Sequence, residues 1–160
     1  MKTQIKSFLS VALAIGYTLF AGSTLEAGIS SYEKQIVAAV LILEASSDGE
    51  EGMRAVLHVI DNRSGGQVDR VPAVVAKPKA FSCLNDITWQ EHPDYGPAIG
   101  KAMKDRNWFL ALQLVDQLVV GQLGQDPTSG ATHYCIHPPE TWRSRMTYLT
   151  RIGSHQFFIE

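Results

Sequence analysis

The sequence predicts an α+β fold, a helical body carrying a small β-sheet or hairpin. Three observations lead there. Apolar residues recur at helical spacing from about Ser31 to Gln122. A turn-dense run, Asp126-Pro127-Thr128-Ser129-Gly130, then interrupts the chain. After it come short runs rich in β-branched and aromatic residues. The chain has 160 residues, 45% of them hydrophobic, and a formal net charge of −2. That composition belongs to one globular domain and excludes a disordered tail, a collagen-like repeat and a polytopic membrane protein. A near-neutral charge argues against nucleic acid as a partner.

Each element has its own signal. Ser30 with Glu33 three residues later is a capping box, opening a helix from Ser31 to Ala45. Ile36 to Leu43 are all apolar, so this helix belongs at the centre of the core. Asp48 and Glu51 mark a second start. Met53, Val56, Leu57 and Ile60 then give a one-sided helix to about Arg63, stopped by Gly65-Gly66. Pro72 suits the first turn of a short helix that Pro78 ends. Helices follow over 97–105 and 108–122, the second with Ala111, Leu114, Val115 and Leu118 as its apolar stripe. Strands are expected over 131–136, 146–152 and 156–159. No repeat, low-complexity tract or linker is visible.

The first 27 residues read as an export signal. Lys2 and Lys6 precede an uncharged run from Ser7 to Leu25, and small-residue exits lie at Ala21-Gly22-Ser23 and Leu25-Glu26-Ala27. Cleavage is expected near Ala27, leaving 28–160 as the domain, with an uncleaved membrane anchor as the alternative. The protein is then periplasmic, wall-associated or extracellular, and a monomer. In an oxidising compartment Cys83 and Cys135 can pair. Such a bond would stabilise by roughly 4 kcal/mol in the chain-entropy model.

Two features carry chemistry. Glu44 ends a buried helix, where a carboxylate is either exposed at the helix end or held in a desolvated pocket suited to a general acid. The segment Asp126 to Tyr134 follows turn residues with hydroxyl, imidazole and phenol groups, a composition able to line a polar cleft or simply to turn into a strand.

Together with Leu43-Glu-Ala-Ser-Ser-Asp-Gly-Glu-Glu-Gly52, Ala55-Val56 and Val59-Ile-Asp-Asn-Arg63, these pieces resemble the SleB/CwlJ cell-wall hydrolase family. Val71-Pro72, Val74-Val75, Pro78 and Phe81-Ser82 continue the resemblance. Asp126 to Tyr134, Trp142 and Ile152-Gly-Ser-His-Gln-Phe157 close it. The ordered set spans about residues 33 to 158, with Ser46 standing where members often carry Arg or Gly. The resemblance implies a lysozyme-like, lytic-transglycosylase-like domain that cleaves peptidoglycan glycan strands without a cofactor or metal. Its catalytic glutamate is matched by Glu44 of the Glu44-Ala45 pair. The expected substrate contacts are Phe81, Ser82, Asp126, Thr128, Thr132, His133, Tyr134 and Trp142. Asp48, Glu50 and Glu51 read as helix-start charges, which leaves Asp61 and Asp126 as the reserve carboxylates.

Two other functions fit parts of the sequence. A zinc-dependent amidase would draw on His133, His137 and Glu140, with His155 and His92. A non-catalytic glycan-binding module would draw on Trp89, Trp108 and Trp142.

Overall fold

The computed structural model describes residues 28–160. The expected export segment and its cleavage site lie outside the described residues. Five α-helices come first: α1 (Ser31–Ala45), α2 (Gly49–Ser64), α3 (Val71–Ala76), α4 (Gly96–Ala102) and α5 (Trp108–Val119). Three strands follow: β1 (His133–Cys135), β2 (Thr147–Ile152) and β3 (His155–Ile159). Among the described residues no helix is long and apolar enough to cross a membrane.

The capping box closes as its residues dictate. Ser30 Oγ accepts from the Glu33 amide at 3.2 Å, and Glu33 Oε2 accepts from the Ser30 amide at 2.7 Å. Such a cap contributes about 1 kcal/mol to starting the helix. Val37 to Ile42 are all buried, and α1 packs against α2, α4 and α5. Each large apolar side chain there stabilises by about 1.5–3 kcal/mol through burial.

The second helix corrects one expectation. Met53, Val56, Leu57 and Ile60 enter the main core as the stripe requires. Ala55 and Val59 are also fully buried, on a face turned to the sheet, where they meet Ala131, Ile152 and Phe157. Helix α2 is therefore buried on two faces, because small side chains at 55 and 59 let the sheet approach closely.

The sheet is antiparallel in the order β1-β3-β2. Tyr134 lies opposite Phe157 across β1 and β3, and Ile152 opposite His155 across β2 and β3. A register shift falls between Tyr148 and Thr150. The strand expected over 131–136 shrinks to three residues. Ala131 is taken up by the preceding turn, and Thr132 donates its amide to the Phe158 carbonyl at 3.0 Å just before the strand begins. The last helix stops at Val119, with Gly121 in the left-handed region two residues later.

Candidate active site

Glu44 sits in the last turn of α1, half-buried, facing two later segments. The turn around Ser82 supplies two donors. Ser82 Oγ and the Cys83 amide each donate to Glu44 Oε1 at 2.9 Å. Strand β1 supplies the third, Tyr134 Oη donating to Oε2 at 3.0 Å. A carboxylate is acceptor-only when ionised, so three converging donors fix its plane as well as its position.

Arg63 joins the two flanking segments. Its Nε donates to the Thr132 carbonyl at 2.6 Å and its Nη1 to the Ala80 carbonyl at 3.1 Å. The guanidinium stacks over Phe81, 5.1 Å from the ring centroid. Burial lowers the Arg63 pKa, while neighbouring Tyr134 and Glu44 pull it back up. An arginine remains charged through such shifts, so it stays a cationic clamp. Burial and adjacent Glu44 push the Tyr134 phenol well above its ordinary value, which keeps it a hydrogen donor.

The structure places the expected contacts in three groups. Ser82 and Tyr134 meet Glu44 directly. Thr132 and His133 precede Tyr134 in the chain without a contact to Glu44, bonded to each other at 3.0 Å through Oγ1 and Nδ1, and His133 meets Trp142 edge-on at 5.7 Å. The remaining three build the scaffold. Phe81 is 2% exposed and Thr128 fully buried, so neither presents a surface to substrate. Asp126 is consumed by its own loop, accepting from the Thr128 amide and hydroxyl, both at 2.7 Å, the Gly130 amide at 2.8 Å and Asn62 Nδ2 at 3.0 Å. Burial works to raise the Asp126 pKa, but these bonds prevail and hold it low. The turn reading of Asp126 therefore wins over the cleft reading.

The expected disulfide is corrected as well. Cys83 and Cys135 are free thiols. Side chains alternate along a strand, so Cys135 faces away from the side on which Tyr134 reaches Glu44 and Cys83. Burial, together with adjacent Glu44, pushes the Cys83 thiol strongly up, which slows its reaction as a thiolate.

Sequence reasoning missed two groups. Arg63 was visible only as the end of a family-like run. Asp48 has the sequence position of a helix-start charge, yet its side chain makes no capping bond to α2. Its carboxylate instead accepts from Ser154, at 3.1 Å from the amide and 2.8 Å from Oγ, and from His155 Nδ1 at 2.9 Å. A Cβ on Gly52 or Gly153 would overlap Asp48, and Gly153 also holds a φ of 57°. Both positions therefore require glycine. The His155 ring meets the Tyr134 ring edge-on at 5.2 Å, which carries this clamp to the edge of the Glu44 site.

His137, Glu140 and His92 are exposed, and His155 is committed to Asp48. Among the described residues no three His, Cys, Asp or Glu side chains converge with metal-holding geometry. Of the tryptophans, Trp108 packs into the core at 6% exposure, while Trp89 stands 62% exposed.

The fold is similar to that of a solved structure, the catalytic domain of the germination-specific lytic transglycosylase SleB from Bacillus anthracis. The TM-score is 0.55 at 24% identity, over 82% of this chain and 98% of that one. No curated protein matches significantly. The family profile described as Cell Wall Hydrolase matches residues 47–158, starting just after Glu44 and taking in Arg63, Ser82, Tyr134 and the Asp48–His155 clamp. Spanning well over half of the chain, that match places this protein in the cell wall hydrolase family.

Proposed function

We propose that this protein cleaves the glycosidic bond between the muramic acid and glucosamine units of peptidoglycan as a lytic transglycosylase, with Glu44 as its single acid/base. The observation that carries the reading is the half-buried Glu44 carboxylate, fixed by donors from two facing segments. Likeness to the SleB catalytic domain supports it at the level of fold.

In its acid form Glu44 gives its proton to the bridging oxygen. The C1–O bond breaks, the glucosamine unit leaves with a free hydroxyl, and positive charge develops at C1 of the muramic unit. The Glu44 carboxylate then takes the proton from the muramic 6-hydroxyl as that oxygen bonds to C1. The product is a 1,6-anhydro sugar, and the enzyme is back in its acid form. No water enters the balance and no second carboxylate is needed. The reserve Asp126 is in any case occupied by its own turn. Ser82, the Cys83 amide and Tyr134 keep the carboxylate from swinging between the two proton transfers. We propose further that residues 28–160 form the exported catalytic domain, acting at the wall as a monomer.

Mass spectrometry of digested peptidoglycan tests the reaction, with anhydro-muramic ends expected. Reducing muramic ends would instead indicate hydrolysis, and free stem peptides an amidase. Glu44→Gln keeps the shape of the side chain but cannot exchange the proton. It is expected to fold normally and to lose at least 10²–10⁴-fold in activity. Activity within tenfold of wild type would overturn the role of Glu44.

A further inference from the structure

A basic concavity of about 400 Å³ opens beside the Glu44 site, lined by Arg63, Lys77, Lys79, Thr132 and His133, with Glu160 as its one acidic side chain. In a chain whose net charge is −2, three cations on one wall are a local reversal of sign. Arg63 spends Nε and Nη1 on the Thr132 and Ala80 carbonyls, and among the described residues its Nη2 has no protein partner. Lys79 holds a φ of 64° as the third residue of a turn that the Ala80 amide closes on the Lys77 carbonyl at 3.1 Å, which fixes its backbone at this edge of the concavity. Its ammonium lies 5.5 Å from the centroid of the exposed Trp89 ring. Burial lowers the His133 pKa, Arg63 lowers it further, Glu160 opposes the shift and Lys77 adds to it, so these charges act on the same space.

The concavity and the acid/base site share their walls. Ala80 and Thr132 line the first, while Ser82 and Tyr134, each two residues further on, hold Glu44. Two residues of extended chain span about 7 Å, roughly the width of one sugar ring.

We propose that the concavity of Arg63, Lys77 and Lys79 is a subsite for the carboxylates of the peptide stem borne by the sugar next to Glu44. The inference rests on the glycan-cleaving reading above. A muramic unit held with C1 at Glu44 carries its peptide within one ring's width, and such stems are anionic. Arg63, anchored by two carbonyls, offers Nη2 as a fixed donor. The two exposed lysines supply mobile charge.

The full chain is tested on three substrates: glycan strands bearing tripeptide stems, the same strands with their carboxylates amidated, and strands stripped of peptide. Wild type is expected to cut the carboxylate-bearing strands about tenfold faster in kcat/KM than the amidated ones, since several partly exposed charge contacts each contribute modestly. The preference should shrink with added salt. In the double variant Lys77→Glu, Lys79→Glu, both at exposed positions, the ratio should fall below about two. A wild-type ratio near one, or an undiminished ratio in the variant, overturns the subsite. Should no strand be cut at all, the glycan-cleaving reading fails by itself. Tryptophan-fluorescence titration with a soluble disaccharide-tripeptide then decides the pocket. Binding weakened by both amidation and the double substitution supports it, and no binding, or binding indifferent to both, overturns it.

Discussion

Removing the Tyr134 hydroxyl isolates one of the three contacts that hold Glu44. In Tyr134→Phe the ring keeps its neighbours His155 and Phe157, at 5.2 and 5.9 Å between centroids. Only the bond to Oε2 at 3.0 Å is lost. A hydrogen bond to an ionised group contributes about 1.5–3 kcal/mol. Glu44 is half-buried, so water partly replaces the hydroxyl and the lower part of that range applies. A loss of about 1.5–2 kcal/mol from the transition state is roughly a 10- to 30-fold fall in rate. Ser82 and the Cys83 amide both act on Oε1, so Oε2 has no other protein donor among the described residues. The assay is the initial rate of soluble sugar release from purified peptidoglycan, with circular dichroism to monitor folding. Ser82→Ala alone should cost less, since its hydroxyl is exposed and the Cys83 amide still holds the same oxygen. The double variant should fall short of or exceed the sum, because both residues position one carboxylate. Activity of Tyr134→Phe within twofold of wild type would refute the claim that this hydroxyl positions the acid.

Two further outcomes follow from the sheet side. Burial works to raise the Asp48 pKa, but bonds from Ser154 and His155 outweigh it and hold it below its ordinary 3.8. Its stabilisation is therefore present above about pH 4 and lost as pH falls through the folded-state value. Asp48→Asn should lower stability by about 2–4 kcal/mol at neutral pH and flatten the acid limb of the stability curve. Thermal melts from pH 2 to 7 check both, and an acid limb as steep as that of wild type would contradict the assignment. Alkylation without reductant should label both cysteines, Cys135 faster than Cys83, because burial and Glu44 suppress the Cys83 thiolate. Recovery of a peptide cross-linked through positions 83 and 135 would restore the disulfide.

Helix order, the central place of α1 and the switch to strands after the Asp126 turn were all legible, because each is set by local pattern. A capping box lies within four residues and an apolar stripe within two turns. Glu44 could be located by the same means, as the polar end of an apolar run. Its partners could not. Ser82 and Tyr134 lie 38 and 90 positions away, and nothing local says which face of a three-residue strand turns toward a helix end. That choice is made when Phe157, opposite Tyr134, buries against Ala55 and Val59. A one-residue slip in β1 would turn Cys135 toward Glu44 and Tyr134 away. Pairing Cys83 with Cys135 on compartment alone assumed, in effect, the wrong side of that strand.

Asp48 shows how a sound local rule is overridden. An acid just ahead of a helix is a natural cap, worth about 1 kcal/mol. Here the side chain leaves that role for the Gly153-Ser154 turn, 106 positions away, and gains charge-assisted bonds to an amide, a hydroxyl and an imidazole in a nearly water-free setting. Several such bonds outweigh one exposed cap, and Gly52 and Gly153 clear the space they need. The exchange also has a consequence for the site. The hairpin of β2 and β3 is tied to the chain just after Glu44, at the end of α1. Tyr134, paired with β3 and set against His155, is thereby fixed relative to the carboxylate it serves. Arg63 does the same from α2, holding the Ala80 and Thr132 carbonyls on either side. Two clamps, one from the turn between α1 and α2 and one from α2 itself, therefore fix the segments that meet Glu44, and neither hydrogen-bonds to its carboxylate.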